Sequence, residues 1–592
     1  MSIRRERVLF TILAAVAFVY VLLRAALVPV VHDEARSFQR FVLTGDFLPF
    51  RAAWDAGNHL LASALARVSY VALGPGLLPL RIWSVLAFAV YAAYAWKIGR
   101  SIGSSTIRWS LWAALLFTPF VIEFFSLFRG YGLALAFLLM AIHHVAQFAA
   151  SGSTRALLIA LCAMALATFN SLSLLIMWCA LVGGVLLLIV FGRKEWRVML
   201  AQAATLIVFG MLPLGFAAYY SVKLSQTGAL YFGSELGLVH GTLASLADFV
   251  IGAKPSWLLW MLVILVGLVV ALSASRVSRT RDIPSLIAFA CAFLFLADLC
   301  GRVVLGQGFG VLYPTDRTAM QLVLLFLILV ASAIDHYASR WAMARYGSIA
   351  LLAFPLRIVL TANIDHTSYW PEQAIPDKVF ALAEEKQRLQ DRPLLIAGYH
   401  QNPAAWAYGN FLRDNGMNFM DVTGFPQPTC DLMLIDTEFF TAPAGFRTLY
   451  KAPPHQSSLL EREQSINTTV VRDTTWALGR VGEFTELWAP QPEEVRGREW
   501  LIEIDVTITS PADPLIAKLV VEVTDAQGEH LHYDIVSLED QRPSWNGDKL
   551  HVLRRLPVLD ANAHRVVVYL WNQRGAIIDL GHIHLTVHEV RP

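Results

Sequence analysis

The sequence predicts an α-helical polytopic membrane protein of about 11 transmembrane helices, followed by a small α/β unit and a β-sandwich. Three observations predict it. The 592 residues are 56% hydrophobic and only 16% charged, with a mean hydropathy of +0.53. Long apolar runs recur as far as residue 362, where the composition shifts abruptly to a polar mixture. From about residue 470 onward, apolar and polar residues alternate with the period of a half-buried strand.

The apolar runs fall at 8–29, 79–98, 109–127, 131–149, 156–172, 173–191, 198–221, 256–273, 284–304, 316–335 and 347–362. Met1 to Arg7 carries three arginines ahead of the first run, a pattern that signal peptides and uncleaved signal anchors share. The many later spans favour the anchor. Cationic loops set the orientation. Arg4, Arg5 and Arg7, then Lys97, Arg100 and Arg108, then Arg193, Lys194 and Arg197, then Arg276, Arg279 and Arg281 share one side. The positive-inside rule makes that side the cytoplasm. Eleven crossings then leave the chain beyond 363 outside. The expected plan is a transmembrane domain at 1–362 with a first outer loop at 30–78, an extracytoplasmic α/β segment at 363–465, and a β-sandwich at 466–592.

A net charge of +2 and the lack of a basic tract give no support for nucleic-acid binding. Cys162, Cys179, Cys291 and Cys300 lie in apolar runs and Cys430 stands alone in the polar part, so no disulfide framework is expected.

The first outer loop opens on Val31-His32-Asp33-Glu34-Ala35-Arg36, directly after a span that ends at Pro29. Adjacent carboxylates at a membrane mouth are costly to place. One of them can serve as general base for a hydroxyl while the other orients a cation, since neighbours on a helix point about 100° apart. The plainer account is a helix start, where acids complement the dipole. Ala35, Phe38, Phe41 and Val42 share an apolar face that suits a helix lying in the membrane interface, and Leu60 to Leu73 reads as a second such piece. Arg36, Arg40, Arg51, Arg67 and Arg81 then form either snorkelling contacts with lipid or a basic rim for a phosphate.

Further along, Asn58-His59 shares that loop, and Phe124 to Gly132 places Arg129 and Tyr131 at an outer turn where a lipid phosphate would pass. Arg129 could equally pair with Glu123. The Asn170-Ser171 turn is a weaker signal. Asp298 and Arg302, four apart in one span, suit an intramembrane ion pair. Thr315 or Asp316 suits a helix N-cap, which leaves Arg317 in a first turn where a cation wants an anionic partner.

In the polar part, 393–397 and 431–435 read as short buried strands with a helix at 404–413 between them. Trp500, Ile502, Ile504, Val506 and Ile508 alternate with polar residues, and 525–528 reads as a turn. His582, His584 and His588 share a strand face, either solvated or metal-binding. Tyr533, Trp545, Tyr569 and Trp571 are either core or a sugar-stacking platform. No Walker loop, dinucleotide fingerprint or nucleophile elbow is present.

Taken together, these stretches resemble bacterial GT-C-type membrane glycosyltransferases, the superfamily of the lipid A aminoarabinose transferases and the protein O-mannosyltransferases. Asp33-Glu34-Ala35-Arg36 resembles the first-loop acidic motif. Asn58-His59-Leu60-Leu61 is similar to the Asn/His motif without its usual prolines. Phe125 to Gly132 resembles an Arg-Gly-Tyr motif, and Asp316-Arg317-Thr318-Ala319 a later Asp-Arg-Thr-Ala motif. The resemblance covers about 1–365. It implies a GT-C-like fold in a bacterial inner membrane and an inverting transfer of a sugar from a polyprenyl-phosphate donor to an envelope glycan, lipid or protein. It also implies Asp33 as base, with Glu34 positioning acceptor, arginine or metal. Arg129, Arg317, His59 and Arg81 would hold the departing phosphate, with Asn58, Tyr131, Asp316, Arg302 and Asp298 in support. A divalent cation is compatible with it, since metal dependence varies among relatives. The sandwich would bind carbohydrate or act as a lid. The alternatives are a flippase for a lipid-linked substrate, expected to show midplane polar groups and broken helices, and a non-catalytic membrane-anchored binding protein.

Overall fold

The computed structural model describes residues 2–50, 54–192, 195–277, 282–398, 401–421, 428–510, 517–538, 549–559, 561–572, 575 and 577–591, without the side chains of 273–277 and 509–510. Arg51, Arg193, Lys194, Arg279, Arg281 and Trp545 lie outside the described residues, as does the side chain of Arg276. The chain forms two compact units, one made of Met1–Leu27 with Phe47–Ile364 and the other of Val28–Asp46 with Asp365–Pro592.

The first unit is that of a multi-pass membrane protein. Among the described residues, eight helices are long and apolar enough to cross a bilayer, or nine if one bent pair counts as a single span. The eleven expected runs are all largely helical, but three do not form separate long spans. The run at 109–127 breaks after Ser105–Phe117 because Pro119 bars the preceding residue from helical geometry, and Thr118 is extended with ψ 116°. The run at 156–172 is the 17-residue helix Thr154–Asn170. The run at 256–273 is one arm of a pair, Leu238–Ile251 and Ser256–Leu272, bent by 102°. Gly252, in left-handed geometry with φ 84°, ends the first arm.

The two charges buried in the first span, Glu6 and Arg24, are paired. Glu6, buried near the start of Ile3–Leu27, accepts from Arg100 at 2.6 Å and Arg108 at 2.7 Å. These two arginines thus anchor the first helix as well as carrying the loop charge. Arg24, 1% exposed, meets Glu123 at 3.2 Å and donates to the Asn363 carbonyl at 2.6 Å. Pro213 lacks the N–H that an α-turn needs, and a π-helical stretch Ile207–Met211 precedes it within the span Trp196–Gln226.

The second unit has an α/β part and a sandwich. Strands β1 (Ile396–Gly398), β2 (Leu432–Ile435), β3 (Phe446–Tyr450) and β4 (Ser458–Arg462) form one sheet in the order β1-β2-β4-β3, with only β1 and β2 parallel. Helix Asn402–Arg413 lies between β1 and β2 in sequence. Cys430 is a buried free thiol here, and burial pushes its pKa well above the usual range. The sandwich strands are β5 (Thr468–Arg480), β6 (Phe484–Trp488), β7 (Glu499–Ser510), β8 (Lys518–Thr524), β9 (His530–Ser537), β10 (Lys549–Leu556), β11 (Arg565–Trp571) and β12 (Asp579–Val590). They make two sheets, β10-β7-β12-β5 and β6-β11-β8-β9. Trp500, Ile502, Ile504, Val506 and Ile508 meet Val521, Val523, Val566 and Val568 in the shared core. The Asp525–Gly528 turn closes with the Gly528 N–H on the Asp525 carbonyl at 3.1 Å.

The outward face of β11 corrects the reading of its aromatics as core. Val566 and Val568 point inward, whereas Tyr569 and Trp571 are only half-buried on the opposite face. Phe484 covers both, parallel to Trp571 at 5.9 Å, and Tyr533 is 40% exposed nearby on β9.

Candidate active site

Asp33 and Glu34 belong to the second unit, on the short helix His32–Ser37. Glu34 is 1% exposed and accepts the Val31 N–H at 3.2 Å, so it closes the first turn where Val31 itself offers no side-chain acceptor. Asp33 is the half-buried member of the pair. The start of this helix is anchored by His32, whose N–H donates to Gln373 Oε1 at 3.0 Å and whose Nδ1 lies 3.1 Å from the Gln401 carbonyl. The chain continues as a π-helical turn, Phe38–Leu43. Phe38 packs edge-on against Tyr408 at 5.0 Å and tilted against Phe411 at 5.1 Å.

That packing overturns the expected interfacial helix. Ala35, Phe38, Phe41 and Val42 are all at most 1% exposed. The apolar stripe meets protein rather than lipid headgroups because helix Asn402–Arg413 supplies an aromatic partner for it. Glu34→Ala should lower thermal stability by about 1 kcal/mol through the lost helix-start contact. Glu34→Gln, which keeps an acceptor oxygen, should melt close to the wild type in the same scan.

In the membrane unit, Asn58, His59, Tyr131 and Arg302 line one cavity of about 210 Å³, together with Asn170, Ser171 and Thr318. Asn58 holds the loop by donating to the Phe47 carbonyl at 2.9 Å and accepting from Ser63 at 3.0 Å. His59 precedes helix Leu60–Leu73, and its Nδ1 lies 2.5 Å from the Asn170 carbonyl oxygen. Its ring stands edge-on to Tyr131 at 4.9 Å. Gly130 makes this close approach possible. A Cβ there would fall 2.2 Å from the Asn170 carbonyl oxygen and 2.9 Å from His59 Cβ. Gly130→Ala should therefore cost about 1–3 kcal/mol of stability, read by thermal unfolding in detergent. Gly183→Ala, in mid-helix with nothing within 4 Å, should not destabilise and should gain about 0.5–1 kcal/mol.

The remaining candidates divide. Arg129 is 5% exposed and lies over the Tyr131 ring at 5.9 Å. Glu123, its expected alternative partner, also meets Arg24 at 3.2 Å. Arg302 grips Asp298 through two bonds of 2.7 and 3.0 Å and donates to the Ser173 carbonyl at 2.8 Å, an ion pair that holds the cavity wall. Arg317 stacks over Phe232, another lining residue, at 4.6 Å. Thr315 takes the N-cap position of Asp316–Ala319 and makes no side-chain cap bond, and Asp316 turns left-handed at φ 49°. That strain, about 1–3 kcal/mol, is held by the Asp316 N–H on Ser245 Oγ at 3.0 Å. Arg81, 1% exposed, donates to the Ala25 carbonyl at 3.2 Å and does not line the cavity.

The sequence reading undervalued Asn170 and missed Tyr220, which lines the cavity and donates to the Asp55 carbonyl at 3.2 Å. The carboxamide oxygen of Asn170 is buried without a hydrogen-bond partner among the described residues. The signal for Asn170 was present, as a polar turn between two apolar runs.

No family model matches the chain, and no curated protein matches it. Among solved structures, the chain is similar to ArnT from Cupriavidus metallidurans bound to undecaprenyl phosphate. That match has a TM-score of 0.42 and 13% identity over 78% of this chain and 98% of that one. It is also similar to the arabinosyltransferase EmbB from Mycobacterium smegmatis, with a TM-score of 0.36 and 11% identity over 100% of this chain and 65% of that one. The oligosaccharyltransferase AglB from Archaeoglobus fulgidus, in complex with an inhibitory peptide and a dolichol-phosphate, gives 0.40 and 8% identity over 96% and 97%.

Proposed function

We propose that the protein is a membrane glycosyltransferase that moves a sugar from a polyprenyl-phosphate donor to a hydroxyl acceptor at the extracytoplasmic face. The observation that carries this reading is the cavity of the membrane unit. Asn58, His59, Tyr131 and Asn170 gather there among apolar spans, with Arg129 over the lining Tyr131 and Arg317 over the lining Phe232, a mixture of amide, aromatic and cationic groups that suits a phosphosugar. The order of the four motifs along the chain adds to it.

In this mechanism Asp33 removes the acceptor hydroxyl proton as the oxygen attacks the anomeric carbon from the side opposite the phosphate. The bond between that carbon and the phosphate oxygen breaks, the configuration inverts, and polyprenyl phosphate leaves. Arg129 and Arg317, with His59, stabilise the charge on the departing phosphate, where exclusion of water strengthens each contact. Arg302, already held by Asp298, positions the wall rather than the phosphate. Arg81 serves the end of the first helix. Glu34 acts through the helix that it closes. The outward aromatics Phe484, Tyr569 and Trp571 offer a stacking surface for a glycan acceptor.

The test uses purified protein in lipid nanodiscs with a panel of polyprenyl-phosphate sugars. Release of free polyprenyl phosphate is followed with and without envelope extract. Acceptor-dependent release by the wild type and not by Asp33→Asn supports the transferase. The pair of helices bent by 102° favours one second reading, a flippase, since transporters build sites from broken helices. Tight donor binding without turnover of any donor would move that reading ahead.

A further inference from the structure

The outer face of the sheet β10-β7-β12-β5 gathers carboxylates and imidazoles from three neighbouring strands. Glu503 and Asp505 point away from the core, which takes Ile502, Ile504 and Val506. In register, Asp505 has His551 of β10 on one side and His584 of β12 on the other. His551 Nε2 lies 2.7 Å from Glu503 Oε1, and its Nδ1 lies 3.6 Å from Asp505 Oδ1. His588 Nε2 lies 2.9 Å from the other Glu503 oxygen. His584 bridges Asp473 at 2.7 Å and Asp505 at 3.7 Å. His582, expected to share this face, is exposed and makes none of these contacts, whereas His551 comes from a strand that the sequence reading left out.

We infer that this face is a binding site for one divalent transition-metal ion, zinc foremost, held by Glu503, Asp505 and His551. One coordinating atom from each of the three lies within 4.8 Å of the others. Bond lengths of about 2.0–2.2 Å put tetrahedral zinc ligands roughly 3.4 Å apart, so rotamer-scale shifts suffice. An imidazole nitrogen beside two carboxylates selects zinc, nickel or copper over magnesium and calcium, which prefer all-oxygen sets. His588 fixes the orientation of Glu503 through its second oxygen, the kind of support that metal-binding carboxylates have around them. Access is open, because the Asp505 and His551 side chains are 46% and 39% exposed. On the same face, Leu553, the register partner of Glu503, and Leu501, two residues back along β7, are buried against Leu395, Ala397 and Leu460 of the α/β part. The ion would therefore clasp β7 to β10 where that cover ends. The inference stands apart from the transferase reading.

The full-length protein in detergent, stripped with a chelator and freed of it, is titrated with zinc chloride at neutral pH. Bound zinc is counted by mass spectrometry after equilibrium dialysis. The expected result is saturable binding of about one zinc per chain, undiminished by millimolar magnesium. His551→Ala should weaken it at least tenfold, and His582→Ala should leave it unchanged. If His551→Ala fails to fold, Glu503→Gln replaces it as the diagnostic variant with the same expected loss. Absence of saturable binding, or equal binding by wild type and whichever of these two variants folds, would overturn the proposal and leave an ionic network alone.

Discussion

Asp33→Asn is expected to lower sugar transfer by about 10²–10⁴-fold, the usual contribution of a positioned general base, with little change in folding. The two effects separate because of how the acidic pair is divided. Glu34 takes the Val31 N–H and closes the helix, so the neutral amide at position 33 leaves that contact in place. The same assay should show an unchanged KM for the donor, since donor binding is assigned to residues of the membrane unit. An Asp33→Asn variant with wild-type turnover would remove the base and the mechanism with it. Asp33→Glu keeps a carboxylate but displaces it by one methylene, and should retain measurable activity above the asparagine variant.

The second large effect is expected from Phe38→Ala. The ring is fully buried between Tyr408 and Phe411, and truncating a buried phenylalanine costs about 3–5 kcal/mol. The loss should fall on the segment 28–46 rather than on the whole chain. Limited proteolysis should then cut this segment faster while the sandwich strands stay protected. Transfer activity should fall together with that protection, although Phe38 touches no substrate in the proposed mechanism. Phe38→Leu, which refills most of the space, should recover both. Intact activity in a Phe38→Ala protein that is cut faster would separate the seat of this helix from catalysis.

Much of the architecture was legible in the sequence because lipid and a sheet core each impose a simple pattern. The long apolar runs became helices, and the alternation at 500–508 became a core-facing strand. What one segment packs against was not legible. The stripe Ala35, Phe38, Phe41 and Val42 reads the same whether it meets headgroups or the helix Asn402–Arg413. The break at Pro119 was visible as a proline, yet the surrounding apolar residues outweighed it in a count of span lengths. Arg24 and Glu6 were visible as charges in or beside the first run, where a buried charge implies a partner, but the partner's position is a matter of tertiary structure. Of the residues lining the cavity, His59 and Tyr131 stand in motifs and Asn170 in a polar turn that the sequence displays, whereas Tyr220 joins them only through helix packing. Register decided the histidines too. His584 and His588 read as one set with His582, and it took the pairing of β7 with β10 to bring in His551 instead.

The helix that carries Asp33 also has a history that the finished fold conceals. Gln39 lies 3.5 Å from the Ala404 carbonyl although 365 residues separate them in the chain. At roughly 5–20 residues per second, a ribosome needs about 20–70 s to make the second after the first. Throughout that interval the first helix can already be inserted while the aromatic seat for Phe38 does not yet exist. The amphipathic stripe must wait, and a membrane surface or a chaperone is what it has to wait on. On the proposed mechanism, Asp33 is therefore seated only after the helix Asn402–Arg413 has been made, and a nascent chain would not transfer sugar before then.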